Sequence, residues 1–190
     1  SLASMVFWSF GALAQVKIKR LLAFISIGHV GYMLIGLATG SLQGLQGIFL
    51  YRLIYLVMTI NAFSVVLSLR TREGEPRFLL DLKNLNLKSP ILALTFSLTL
   101  FSMAGIPPLA GFLSKFYLFF AALDASLYSL AILGVLSSVI SCFYYISIIK
   151  LMYFHKAEEV QLKPLVGIDG QKGFLLGITF FGILFIFLQV

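Results

Sequence analysis

The sequence predicts an all-α polytopic membrane protein with about six transmembrane segments, one of them broken. Three observations carry that prediction. Of the 190 residues, 60% are hydrophobic, only 11% are charged and 19 are Phe, and the mean hydropathy is +1.02. A soluble domain of this length needs far more polar surface. The apolar residues come in continuous runs, whereas a transmembrane β-barrel shows short segments of alternating polarity. Finally, the basic residues sit in short connections between the runs, so the net charge of +7 reads as membrane orientation rather than as a nucleic-acid surface.

Six apolar segments follow in order within a single membrane domain, 1–190. Residues 1–15 form the first; fifteen residues fall short of the ~20 that span a bilayer, which points to a thin membrane or to upstream sequence. A basic knot, Val16-Lys17-Ile18-Lys19-Arg20, separates it from the second, 21–39. Residues 40–46 read as a short uncharged turn, and the third segment, 47–69, carries Arg52 near its start and Asn61 near its middle. Composition changes abruptly over 70–88, where Arg70, Arg72, Glu73, Glu75, Arg77, Asp81, Lys83 and Lys88 make a polar connection. The fourth segment, 90–123, is the longest. A link around Asp124 leads to the fifth, 127–153, and a second polar connection, 155–172, leads to the sixth, 173–190.

Crossing the membrane once per segment puts the 17–20 knot, the 70–88 connection and residues 150–172 on one side. All of the 14 Lys and Arg except Arg52 and Lys115 then lie on that side. It should face the cytoplasm, or the matrix if the membrane is mitochondrial.

The fourth segment holds the costliest stretch, Ser102-Met103-Ala104-Gly105-Ile106-Pro107-Pro108-Leu109-Ala110-Gly111. Pro107 and Pro108 remove two backbone donors, while Gly105 and Gly111 loosen the chain, so the helix should break at 105–108. Freed carbonyls at one depth need water or polar side chains, which predicts a hydrated pocket. Lys115 follows seven residues after Pro108, with no acid in the run to pair it. Burial disfavours its charged form, which suits a proton carrier; the alternative is a lysine tied to a half-helix carbonyl or to an acid of another chain. An interrupted helix beside a lone lysine is a transport-site signature, although prolines also kink helices that transport nothing.

Other candidates are weaker. His29, in Gly28-His29-Val30-Gly31-Tyr32, suits a proton relay, but on the residues alone a core histidine satisfied by a neighbouring helix carbonyl is the favoured reading. Ser137, Ser141, Tyr144 and Tyr145 fall on one side of a helix and form either a hydrated face or interhelical glue. Lys19 has a plain reading as an orientation charge. A single cysteine, Cys142, excludes a disulfide framework or thiolate cluster, and two distant histidines, His29 and His155, give no metal or haem motif.

The run Lys19-Arg20-Leu21-Leu22-Ala23-Phe24-Ile25-Ser26-Ile27-Gly28-His29-Val30-Gly31-Tyr32, the run Ala104-Gly105-Ile106-Pro107-Pro108-Leu109-Ala110-Gly111-Phe112, Lys115-Phe116-Tyr117, and Tyr144-Tyr145 with Lys150 together resemble the antiporter-like membrane subunits of mitochondrial respiratory complex I, the NADH:ubiquinone oxidoreductase. The resemblance extends over nearly the whole chain. It implies a fold of inverted five-helix repeats, each a half-channel around a broken helix, of which this sequence corresponds to the second repeat and the last helix. It implies proton transfer at Lys115, with His29 near a central hydrophilic axis and Lys19 at the opening of its helix. The family's first repeat has no counterpart here, so the expectation is a divided gene whose amino-terminal polypeptide completes the subunit, or else a cut from a longer chain.

The function so implied is a half-channel coupled to electron transfer from NADH to ubiquinone, in a multi-pass protein of the mitochondrial inner membrane. Partners would be the other membrane subunits, the amino-terminal half and lipid, with no nucleic acid. No cofactor is expected on this chain, and NADH, FMN, iron–sulfur clusters and ubiquinone are expected in other subunits, since neither a Gly-rich nucleotide loop nor a cysteine cluster occurs. A sodium/proton antiporter subunit and a purely structural membrane piece are the alternatives.

Overall fold

A computed structural model describes residues 1–69, 78–154 and 170–189, without the side chains of 13, 170–172 and 185–189. Arg70, Arg72, Glu73, Glu75, Arg77 and most of the 155–172 connection therefore lie outside the described residues. The described part is nearly all helical: α1 (Leu2–Leu13), α2 (Ile18–Ala38), α3 (Leu42–Ser68), a 3-10 turn (Leu79–Leu82), α4 (Leu85–Lys88), α5 (Pro90–Ala104), α6 (Ala110–Asp124), α7 (Tyr128–Tyr153) and α8 (Gly170–Gln189). Three of these, α2, α3 and α7, are long and apolar enough to cross a membrane.

Several boundaries differ from the sequence expectation for local reasons. The second segment starts at Ile18 rather than 21, because Lys19 and Arg20 fit into its first turn with both side chains exposed. The third starts at Leu42 rather than 47: Ser41 is an N-cap whose Oγ accepts from the Gly44 N–H at 3.0 Å, so the polar stretch read as a turn is the first helical turn. The Leu79–Leu82 turn and the one-turn α4 were hidden in a connection whose charges give no helical period. In the 3-10 turn, Asp81 Oδ2 accepts from the Phe78 N–H at 2.9 Å. Pro90 opens α5 at a position where its missing N–H costs nothing.

The helices pack around α2, α3, α5, α6 and α7, with α1 laid against α2 and α7, and α8 against α3 and α6. Trp8 of α1 is buried and lies flat on Gly28, where any Cβ would run into the indole. One end of the bundle is knitted by backbone hydrogen bonds. The Leu79 N–H donates to the Val16 carbonyl at 2.9 Å, and the Asn84 N–H to the Leu151 carbonyl at 3.3 Å. The basic knot, the described part of the 70–88 connection and the Lys150 end of α7 therefore meet at one end, as the charge distribution predicts.

Candidate functional site

The site grows from the way α5 stops. Gly105 adopts φ 86°, ψ 40°, the left-handed conformation that only glycine takes cheaply. Its N–H donates to the Ser102 carbonyl at 3.0 Å and the Ile106 N–H to the Phe101 carbonyl at 3.1 Å, the paired bonds of a Schellman stop. The chain turns through 105–109 and re-enters helix at Ala110. Continuing α5 would have required N–H groups at 107 and 108, and both positions are proline.

α6 then returns close to α5. At Gly111 a Cβ would overlap the Ser102 carbonyl oxygen, and the Gly111 N–H donates to Ser102 Oγ at 3.1 Å. Ser102 thus caps the first turn of the next helix, which has no side-chain cap of its own at Leu109.

Lys115 sits in the second turn of α6, 6% exposed. It is the one Lys, Arg, Asp or Glu among the buried described residues. Its Nζ donates to the Ala104 carbonyl at 3.0 Å and stands 4.9 Å from the centroid of the Tyr32 ring, within cation–π range. The lysine thus reaches a half-helix carbonyl, one of the two partners that the sequence left open.

His29 on α2 is 1% exposed. Its Nδ1 lies 2.7 Å from the Tyr51 hydroxyl, and its ring stacks on Tyr55 at 4.7 Å. Its Nε2 is buried without a hydrogen-bond partner among the described residues. Tyr32, one helical turn along α2, lies between His29 and Lys115, with its ring 6.3 Å from the imidazole.

Ser137, Ser141, Tyr144 and Tyr145 are all buried on the inner side of α7. Ser137 Oγ donates to the Gly134 carbonyl at 2.8 Å and lies 3.0 Å from the Tyr32 hydroxyl. The Tyr144 and Tyr145 hydroxyls are buried with no partner among the described residues, and their rings are 4.5 Å apart. Lys19 is elsewhere: it is exposed on the first turn of α2, ten residues and so about 15 Å along the helix from His29.

The structure therefore brings together Lys115, His29 and the α7 face, and leaves Lys19 at the basic end. Sequence reasoning missed Tyr51, Ser102, Trp8 and the role of Tyr32. The spacing of Tyr51 and Tyr55, four apart on α3, was the signal available for the first. Chemically, the site is a row of exchangeable protons and orphaned polar atoms closed off from the surface. It holds no cluster of acids, histidines and thiols suited to a metal among the described residues.

The family model for the transmembrane region of NADH:quinone oxidoreductase and Mrp antiporter subunits matches residues 1–141. The chain is 52% identical over 189 residues to NADH-ubiquinone oxidoreductase chain 2 of Marchantia polymorpha, covering 99% of this chain and 38% of that one. Among solved structures, it resembles a chain of respiratory complex I from Thermus thermophilus with bound aureothin, with a TM-score of 0.84 and 32% identity over 98% of this chain and 42% of that chain. It also resembles a chain of the Mrp complex of Dietzia sp. DQ12-45-1b, with a TM-score of 0.75 and 26% identity over 90% of this chain and 30% of that chain. The chain thus spans well under half the length of the relatives it matches.

Proposed function

Since this chain belongs to the NADH:quinone oxidoreductase/Mrp antiporter transmembrane family, we propose that it is a proton-translocating membrane subunit of respiratory complex I, supplying one half-channel. The observation that carries this reading is the burial of the Lys115 amine, 6% exposed and with no Asp or Glu among the buried described residues, beside the Tyr32 ring; its bond to the Ala104 carbonyl is one that a purely structural lysine would also make. A buried amine with no carboxylate partner among the described residues can pass its proton to a hydroxyl, imidazole or water that reaches it. Tyr32, Ser137 and His29 lie beside it as hydroxyl and imidazole groups for the next transfers.

In this reading α5 and α6 are the two halves of one broken span, since at 15 residues each neither crosses ~30 Å of hydrocarbon alone. With α1, α2, α3, α7 and α8 they make about six spans in a single membrane domain. Lys115 loads the proton, His29 and the inward face of Ser137, Ser141, Tyr144 and Tyr145 line the hydrated route, and Lys19 orients α2 at its mouth. The chain carries no redox site; NADH, FMN, iron–sulfur clusters and ubiquinone belong to other subunits. The relatives' greater length contains the remainder of the fold. The membrane is the mitochondrial inner membrane, with the basic end in the matrix.

Among the solved structures identity favours the aureothin-bound complex I chain over the Mrp chain, 32% against 26%, and so favours redox-driven pumping over sodium/proton exchange. The test is Lys115→Met in the assembled complex, with protons translocated per NADH oxidised as the readout. Loss of pumping with assembly intact supports the reading. Unchanged pumping overturns it.

A further inference from the structure

Five helices meet at one side chain, Tyr32. It is 1% exposed. Its ring face looks at Lys115 Nζ of α6 from 4.9 Å. The indole of Trp8 on α1 meets it edge to face at 6.0 Å, Phe119 of α6 does the same at 6.1 Å, and Tyr51 of α3 lies tilted at 6.3 Å. Its hydroxyl is 3.0 Å from Ser137 Oγ and 3.5 Å from the Gly134 carbonyl, both on α7.

We propose that Tyr32 is a positioning residue for Lys115: its ring face holds the ammonium against the Ala104 carbonyl, and its hydroxyl registers that arrangement to α7. The inference rests on the reading of Lys115 as the proton-loading residue. Three features separate it from ordinary core packing. An ammonium attracts the face of an aromatic ring, and the face is what Tyr32 presents to Lys115 Nζ. Among the described residues no buried carboxylate faces the ammonium. On the elements packed around Lys115 the buried or half-buried titratable groups are His29 and Tyr32 on α2, Tyr51 and Tyr55 on α3, and Cys142, Tyr144, Tyr145 and Tyr153 on α7; Lys19, Arg20, Arg52, Tyr128 and Lys150 are exposed, and α5 and the described side chains of α8 bring none. The hydroxyl, moreover, is anchored on a different helix from the one that carries the lysine, so the ring cannot tilt without breaking the Ser137 contact.

The ring stabilises the protonated form of Lys115 only. Removing it should therefore let Lys115 lose its proton at lower pH, and the alkaline limb of the pumping profile should move toward acid. A cation–π contact in a desolvated site corresponds to a shift of roughly half to one and a half pH units. Phe in place of Tyr32 keeps the ring and loses the tether, so its shift should have the same sign and be smaller.

The experiment is the pH profile of protons translocated per NADH oxidised, in assembled complex carrying Tyr32→Leu, Tyr32→Phe, Ser137→Ala or Tyr32→Phe with Ser137→Ala. The expected result is the large acid shift for Tyr32→Leu, a small one for Tyr32→Phe, and one no larger for Ser137→Ala, which leaves the hydroxyl its Gly134 carbonyl; the double change should match Tyr32→Phe alone, because that change already removes both contacts. A normally assembled Tyr32→Leu complex with an unmoved profile overturns the proposal. If Tyr32→Leu does not assemble, the other three variants decide: absent or additive shifts overturn it as well. Lys115→Met separates the two levels. If that change leaves pumping intact, the reading of Lys115 fails; if it abolishes pumping while the Tyr32 variants leave the profile unmoved, only the role of Tyr32 fails.

Discussion

Lys115 Nζ donates to the carbonyl of Ala104 at 3.0 Å, and that carbonyl is one whose helical partner would have been the N–H of residue 108, a proline. The end of α5 thus leaves open the acceptor that the lysine uses. Gly105 stands in the same place, and a Cβ there would lie 3.0 Å from Lys115 Cδ and 3.4 Å from Nζ. Gly105→Ala should displace the ammonium from the carbonyl and strain a residue at φ 86°. The expected outcome is about 1–2 kcal/mol of destabilisation and a fall in proton translocation. Thermal unfolding of the assembled complex and pumping per NADH check the two parts.

The α5–α6 contact gives a sharper contrast. Gly111→Ala sets a Cβ against the Ser102 carbonyl, backbone that cannot swing aside, so the two helices must separate and take Lys115 with them. Ser102→Ala removes only the hydroxyl that accepts from the Gly111 N–H at 3.1 Å, a loss of about 1 kcal/mol. Gly111→Ala should abolish assembly, whereas Ser102→Ala should lower the thermal midpoint by a few degrees. Native electrophoresis distinguishes them, and a well-assembled Gly111→Ala complex would contradict the geometry.

Tyr51→Phe tests the imidazole. The hydroxyl is the one side-chain partner of His29 among the described residues, at 2.7 Å from Nδ1, while Nε2 has none. Its removal leaves the ring stacked on Tyr55 but unoriented, so turnover-linked pumping should fall several-fold, in line with the ~1 kcal/mol of a buried hydrogen bond. Assembly should be retained because the aromatic volume is unchanged. Equal pumping in the variant would remove His29 from the route.

How much of this was readable beforehand depends on the kind of interaction. Apolar runs with few charges located α2, α3 and α7 within a few residues, because a membrane demands length and apolarity and leaves little else free. The prolines marked where α5 ends and α6 begins for an equally local reason. The boundaries that slipped were those where a polar residue belongs to a helix end: Lys19 and Arg20 inside α2, and Ser41 capping α3. Contacts between distant segments were not readable. His29 with Tyr51, Tyr32 with Ser137, and Trp8 on Gly28 depend on which faces meet, and helices apolar all round carry no stripe to announce it.

Asn61 provides a test with the opposite sign. It is 0% exposed, and neither its Oδ1 nor its Nδ2 has a hydrogen-bond partner among the described residues. A buried amide left unsatisfied costs about 1–3 kcal/mol, and Val is close to it in volume without the polar atoms. Asn61→Val should therefore leave the thermal midpoint of the complex unchanged or raise it. A drop of several degrees would mean that the amide has a partner supplied by another polypeptide.

The orientation of the bundle can be tested independently of any pumping assay. Val16, Leu79, Asn84 and Leu151 are joined by backbone hydrogen bonds at one end, together with Lys17, Lys83 and Lys150. The α6–α7 link at 125–127 belongs to the other end, because it opens α7, whose 26 residues run from Tyr128 to the Leu151 end that is tied to the basic side. Positive charge stays on the side that does not translocate it, so the two ends should lie on opposite faces of the membrane. In a chain whose native Cys142 is replaced by Ala, Lys83→Cys should react with a membrane-impermeant maleimide only in inside-out vesicles. Asp124→Cys, exposed at the end of α6, should react only in right-side-out ones. If both cysteines label from the same side, α5 and α6 do not together cross the membrane and return the chain to the unbasic face. Lys115 would then lie in a re-entrant hairpin with access to one compartment, and a half-channel built on it would be ruled out on topological grounds alone.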